Sequence, residues 1–240
     1  MRKSERELQT QARADAILCI LAEIYPTPMP QLEFMNPWEL MVATILAAQC
    51  TDERVNKVTP ALFSRWPGPA EMARADVAEV EQVIRSTGLF RSKAKNLVAN
   101  AKRLMEHYNG RVPDSMDALT SLAGVARKTA NIVLWGGFGK NEGVAVDTHV
   151  GRISRRLGLS KSDNPVVVEK DLMRLFPQDS WGDLNHRLVW FGRDVCQART
   201  PQCPQCPLFE LCPKIGLSGD YKPLPKQSHT ATKPRSPDAG

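Results

Sequence analysis

The sequence predicts an all-α protein that ends in a metal-binding loop. Apolar residues recur at helical spacing along most of its 240 residues, with capping residues and glycines where helices should start and stop. No alternating apolar–polar run flanked by Asn-Gly or Asp-Gly turns competes. Four of the six cysteines fall between Cys196 and Cys212, in a stretch too rich in proline for regular structure.

The first helix is read from residues 1–25, where Leu8, Ala12, Ile17, Leu21 and Ile24 form the expected apolar stripe. Glu5, Glu7 and Asp15 interrupt the basic start, which excludes a signal peptide. Pro37 and Trp38 open a second helix, and Asp52 is the expected N-cap of a third, which Pro60 should bend or end. Asp76 starts a helix stopped by Gly88, and the run from Arg91 ends at Gly110. Ser115 begins a short helix, a turn follows at Ala123-Gly124, and another helix runs from Arg127 to about Gly139. Asp147 should cap the next, and two more are expected over Val166–Phe176 and Trp181–Val195. Residues 216–240 lack apolar periodicity and read as a disordered tail.

Charge and cysteine usage bound the function. There are 32 Lys+Arg against 26 Asp+Glu, a net charge of +6 that favours a polyanionic partner. No apolar run reaches the roughly 20 residues of a membrane span, so an intracellular protein with reduced thiols is expected. Cys19 and Cys50, in helical contexts, read as small buried residues. Cys196, Cys203, Cys206 and Cys212 follow C-x6-C-x2-C-x5-C. Zinc sites usually pair two separated C-x2–4-C knuckles, and disulfides are disfavoured in a reducing compartment. An iron–sulfur cluster suits the unequal spacing best, with zinc the competing reading.

The segment from Leu122 to Ala130 joins two short helices through a Gly-centred turn. Free N–H groups at the second helix's start, close approach at Gly124 and the charge of Arg127 suit a DNA phosphate. Most lysines are solvated surface charges, but Lys128 stands beside Arg127 at a helix's positive end. That setting favours the deprotonated amine a Schiff-base nucleophile needs. Asp147 caps a helix in the plain reading, which is compatible with a catalytic carboxylate. His149 is either a DNA contact or a structural histidine.

Taken together, LAGVARKTANIVL, VDTHV and the four-cysteine loop resemble endonuclease III-type members of the helix-hairpin-helix glycosylase superfamily, over about Ile24 to Pro213. The resemblance implies a [4Fe–4S] cluster on the four cysteines and two all-α domains with duplex DNA bound between them. Residues 31–140 would form a helical barrel carrying the hairpin, and residues 1–30 with 141–215 the cluster domain. Lys128 matches the family's catalytic lysine and Asp147 its aspartate. Gln49 and Leu89 match residues that fill or wedge the gap left by an extruded nucleotide. Arg199, within the cluster loop, is a phosphate contact by the same comparison.

The implied activity is that of a monomeric glycosylase and abasic-site lyase acting on oxidised pyrimidines. A monofunctional mismatch glycosylase would lack the lysine, and a non-catalytic DNA-binding module would need neither Lys128 nor Asp147. Two departures stand out: where the family hairpin reads L-P-G-V-G, this chain has Ala123 for Pro and Ala126 for the second Gly. Ala tolerates positive φ poorly, so weaker phosphate docking is expected at Ala126.

Overall fold

The computed structural model describes residues 5–219 and 221–223, with side chains from residue 8 onward. Among these residues there are eleven α-helices and no strand. They are α1 (Glu5–Ile24), α2 (Pro37–Leu46), α3 (Asp52–Arg65), α4 (Pro69–Met72), α5 (Val77–Ile84) and α6 (Phe90–His107). There follow α7 (Met116–Thr120), α8 (Arg127–Phe138), α9 (Thr148–Arg156), α10 (Pro165–Leu175) and α11 (Trp181–Asp194).

Local chemistry explains most of the helix ends. Asn36 accepts the Glu39 N–H while Glu39 reaches back to the Met35 N–H, a reciprocal cap at the start of α2. Asp76, Asn164 and Asp147 cap α5, α10 and α9 through their side-chain oxygens. At α3 the cap is Thr51 rather than Asp52, which is the first helical residue and sits where a carboxylate favours the positive helix end. Pro60 does not end α3, which runs on to Arg65.

The helices bury two apolar clusters. One spans residues 32–134, with Leu40, Met41, Leu62, Ile84, Leu97, Leu104 and Leu134 inaccessible to solvent. The other joins Ala14, Ile17, Leu21 and Tyr25 of the N-terminal segment to residues 144–208, including Val150, Ile153, Leu172, Leu188 and Phe191. Each buried aliphatic side chain adds about 1.5–3 kcal/mol relative to exposure.

The expected stripe on α1 is corrected accordingly. Ile17 and Leu21 face the core with Ala14, whereas Leu8, Ala12 and Ile24 are exposed. Cys19 is also exposed and Cys50 half-buried, so neither is the fully buried small residue expected. Of the expected tail, residues 216–219 and 221–223 are described, without helix or strand, and the rest lies outside the described residues.

Helix α8 belongs to the first cluster but also reaches the second. Gly182 of α11 lies so close to Trp135 that an added Cβ would stand 1.9 Å from the indole, and His186 packs on that indole at 4.6 Å between ring centroids. At its other end, Arg127 donates to both carboxylate oxygens of Glu169 on α10, at 2.9 and 3.0 Å. Asn131 donates to the same buried carboxylate at 2.8 Å.

Candidate nucleic-acid interface and catalytic centre

The hairpin is built from α7, the turn at residues 122–126 and α8. Gly124 has φ +74, a conformation that favours glycine, and a Cβ there would come within 2.6 Å of the Asn96 side-chain amide, which would have to move aside. Ala126 sits at φ −85, ψ 171, extended backbone that alanine adopts freely. The backbone strain expected of an alanine there does not arise. As N-cap of α8, Ala126 brings no side-chain acceptor, which leaves first-turn amides of the helix facing outward for an anion.

Sequence reasoning missed the residue that fixes this turn. Asn100, buried on α6, accepts the Ala123 N–H at 2.7 Å and donates to the Ala123 carbonyl at 2.9 Å. A proline at that position would have no N–H to give; alanine supplies one, and Asn100 holds both of its backbone groups.

Lys128 is the second residue of α8 and is exposed. Asp147 ends the buried run Gly143–Val146, and its carboxylate accepts the Val150 N–H at 2.8 Å. Asn185 donates to the Ala145 carbonyl two residues earlier, fixing the approach to the cap. His149 lies between them electrostatically. Burial pushes its pKa down, Asp147 pushes it up, and Arg152, Arg193 and Lys128 push it down again. Lys128 and Asp147 lie nineteen residues apart in sequence, one on the hairpin helix and the other capping α9.

Arg152 can only donate, so its contact of 3.2 Å makes His149 Nδ1 an acceptor and leaves the ring proton on Nε2. His186, close enough to feel Asp147 and Asp52, is driven down to about 4 by burial. Both histidines are therefore neutral at physiological pH.

Gln49 and Leu89 sit on adjoining loops, and each has the left-handed conformation uncommon for residues other than glycine, at φ 54 and φ 46. Both are exposed, Leu89 by 56%. The loops abut: a Cβ on Gly88 would lie 3.9 Å from the Gln49 carbonyl.

At the C-terminal end, Cys196, Cys203, Cys206 and Cys212 line one cavity together with Leu157, Phe191, Val195 and Leu217. Among the described residues no three metal-ligating side chains converge tightly enough for a single ion. Burial raises the Cys203, Cys206 and Cys212 thiols, Cys206 to about 12, and the neighbouring cysteines add to the rise. The loop is held from α9: Arg156, itself buried, donates to the carbonyls of Gln197 and Ala198 at 2.7 and 2.8 Å and lies 3.4 Å from Cys196 Sγ. Arg152 donates to the Cys196 carbonyl at 3.0 Å. Arg199 stands exposed on the same loop.

A helical hairpin joined to a capped aspartate defines a class, and comparison agrees. The chain belongs to the HhH-GPD superfamily of base excision DNA repair proteins, whose family model matches residues 42–178. Within that class its relatives are endonucleases III. The Synechocystis endonuclease III is 51% identical over 206 residues, covering 86% of this chain and 94% of that protein. The Bacillus subtilis endonuclease III is 44% identical over 208 residues, covering 86% and 94%. A solved structure of a trapped endonuclease III–DNA covalent intermediate superposes with a TM-score of 0.81 at 43% identity, over 85% of this chain and 96% of that one.

Proposed function

We propose that this chain is a bifunctional DNA glycosylase and abasic-site lyase of base excision repair, with Lys128 as nucleophile and Asp147 as its assisting carboxylate. The observations that carry this reading are Lys128, exposed at the start of the hairpin helix, and Asp147, held by its own cap bond, in a chain that superposes on a trapped endonuclease III–DNA covalent intermediate.

A base stacked in duplex DNA is out of reach, so the damaged nucleotide is first extruded. Lys128 Nζ, deprotonated, then attacks C1′ of the sugar as the bond to the base breaks, and the base leaves with the electron pair. Asp147 offsets the positive charge developing on the sugar and accepts the amine proton. The sugar ring then opens as the C1′–O4′ bond breaks and O4′ takes a proton, and the iminium so formed acidifies the C2′ proton; its removal expels the 3′ phosphate by β-elimination. Water then hydrolyses the Schiff base and restores the amine. Oxidised pyrimidines are the proposed substrates.

DNA would lie across both halves of the molecule, in the proposed division into residues 31–140 and residues 1–30 with 141–215. Phosphates would dock on the hairpin backbone at Gly124 and Ala126, beside Arg127, whose side chain stays 46% exposed while paired with Glu169. His149 and Arg199 would add contacts, and Gln49 and Leu89 would occupy the space vacated by the extruded nucleotide. Cys196, Cys203, Cys206 and Cys212 would hold a [4Fe–4S] cluster. Four thiols around one largely apolar cavity, at the unequal spacing C-x6-C-x2-C-x5-C, suit a polynuclear centre better than zinc. Bound there, the cluster would cross-link a loop with little regular structure of its own.

The test is trapping. Borohydride added during turnover should fix a protein–DNA adduct at Lys128, and Lys128→Gln should abolish adduct and nicking while damaged DNA still binds. Asp147→Asn keeps the cap, since Asn caps about as well as Asp, so folding should hold while base release slows by roughly 10²–10⁴-fold. A trappable adduct surviving in Lys128→Gln would assign the nucleophile to another amine.

A further inference from the structure

Lys93 is a buried cation that the mechanism leaves unused. It sits on α6, one turn after Leu89, and only 3% of it is accessible. Its ammonium donates to the Leu46 carbonyl at 2.8 Å and to the Thr87 carbonyl at 2.7 Å. No carboxylate pairs with it among the described residues, and burial pushes its pKa below the ordinary lysine range.

A buried lysine without a counter-ion is costly, so its two acceptors matter. Leu46 ends α2, where unsatisfied carbonyls carry the negative end of the helix dipole, and Gln49 follows three residues later. Thr87 immediately precedes Gly88 and Leu89. One ammonium therefore joins the roots of both loops whose tips carry left-handed, exposed side chains. The two loops come from segments forty residues apart and abut at Gly88 and the Gln49 carbonyl.

We propose that Lys93 is a positioning residue for nucleotide extrusion: it fixes the Gln49 and Leu89 loops to one another, so that both tips enter the helix as one rigid wedge. The proposal rests on the roles given above to Gln49 and Leu89. Lys93 touches neither substrate nor reacting atoms; it acts through the loops. A methionine would fill the same space but leave two carbonyls without their donor, and each tip would relax independently.

The test separates extrusion from chemistry. Lys93→Met should release a damaged base from duplex DNA roughly 10- to 100-fold more slowly, the scale of a small misplacement at a site. On a ready-made abasic site, where no base has to be unstacked, trapping and nicking should fall by less than threefold. Fluorescence of 2-aminopurine beside a tetrahydrofuran abasic analogue, which the lyase cannot cleave, reports unstacking without chemistry; it should rise with wild type and rise much less with the variant.

Equal losses on both substrates, or no loss on either, would overturn the proposal. Should Lys93→Met fail to fold, Lys93→Gln, which retains one donor group, is carried through the same assays with the same criteria. If neither folds, Lys93 is a folding element and the proposal is wrong. Wild-type protein that unstacks the reporter but releases no base would instead sink the assigned chemistry and leave the wedge standing.

Discussion

Individual residues here serve two masters, and His186 is the clearest case. It packs on Trp135 where α8 meets α11, and its folded pKa of about 4 lies well below the ordinary 6.5. The sign follows directly. Between those values the unfolded ring takes a proton that the folded ring refuses, so stability falls as pH falls through this window. The loss is at most about 3 kcal/mol when complete. Urea midpoints measured from pH 7 to pH 4.5 should therefore decline, and His186→Gln should flatten part of that decline. An unchanged slope in the variant would place the acid sensitivity elsewhere. Residues of this kind are poorly legible in sequence. Asp147 was readable as a cap because its partner is three residues away. Lys93 and Asn100 were not, because their partners lie up to 47 and 23 residues distant and no local pattern announces them.

At the scale of elements, the hairpin turn depends on a neighbour outside it. Asn100→Ala removes both bonds to Ala123 and leaves a partly buried N–H and carbonyl unpaired, a cost of about 1–3 kcal/mol. The expected outcome is a lower unfolding midpoint together with weaker binding of undamaged and damaged duplex alike, because phosphate docking precedes lesion recognition. Weaker binding of damaged DNA alone would contradict this. Helix positions were legible except for the four-residue α4, which the sequence reading did not anticipate; periodicity, Ser115, Asp76 and the glycines at 88 and 110 are local signals. The facing of α1 was not. Its buried residues Ala14, Ile17 and Leu21 keep helical spacing, but the apolar residues at either end of the helix extend past the partners that would cover them. Ala126 was misjudged for a similar reason: a residue's φ follows from the path of the whole turn, and here the positive φ falls on Gly124 alone.

For the molecule as a whole, α9 connects the proposed catalytic carboxylate to the four-cysteine loop: Asp147 caps its first turn and Arg156 closes its last. Arg156→Met should leave the helices folded but loosen residues 196–198, and the protein should lose iron and its brown colour faster on dilution or mild oxidation than wild type. Iron content and visible absorbance followed over time check this, and unchanged retention would reduce Arg156 to a packing residue. The four cysteines, close together in sequence, were legible as a set, and all four line one cavity. The arginine that steadies them, forty residues earlier, was not.

The pair formed by Arg127 and Glu169 bears on how this chain can vary. Glu169 is buried, shares its carboxylate with Asn131, and lies where a Cβ at residue 143 would stand 2.2 Å from its oxygen. Losing Arg127 alone would strand a buried negative charge, and losing Glu169 alone would free the arginine beside the hairpin. Substitutions at 127 and 169 should therefore be tolerated chiefly in company, with a neutral residue at one accompanied by a neutral residue at the other and glycine retained at 143. Across natural homologues these three positions should covary as a block, a pattern that links the hairpin to α10 by descent as well as by contact.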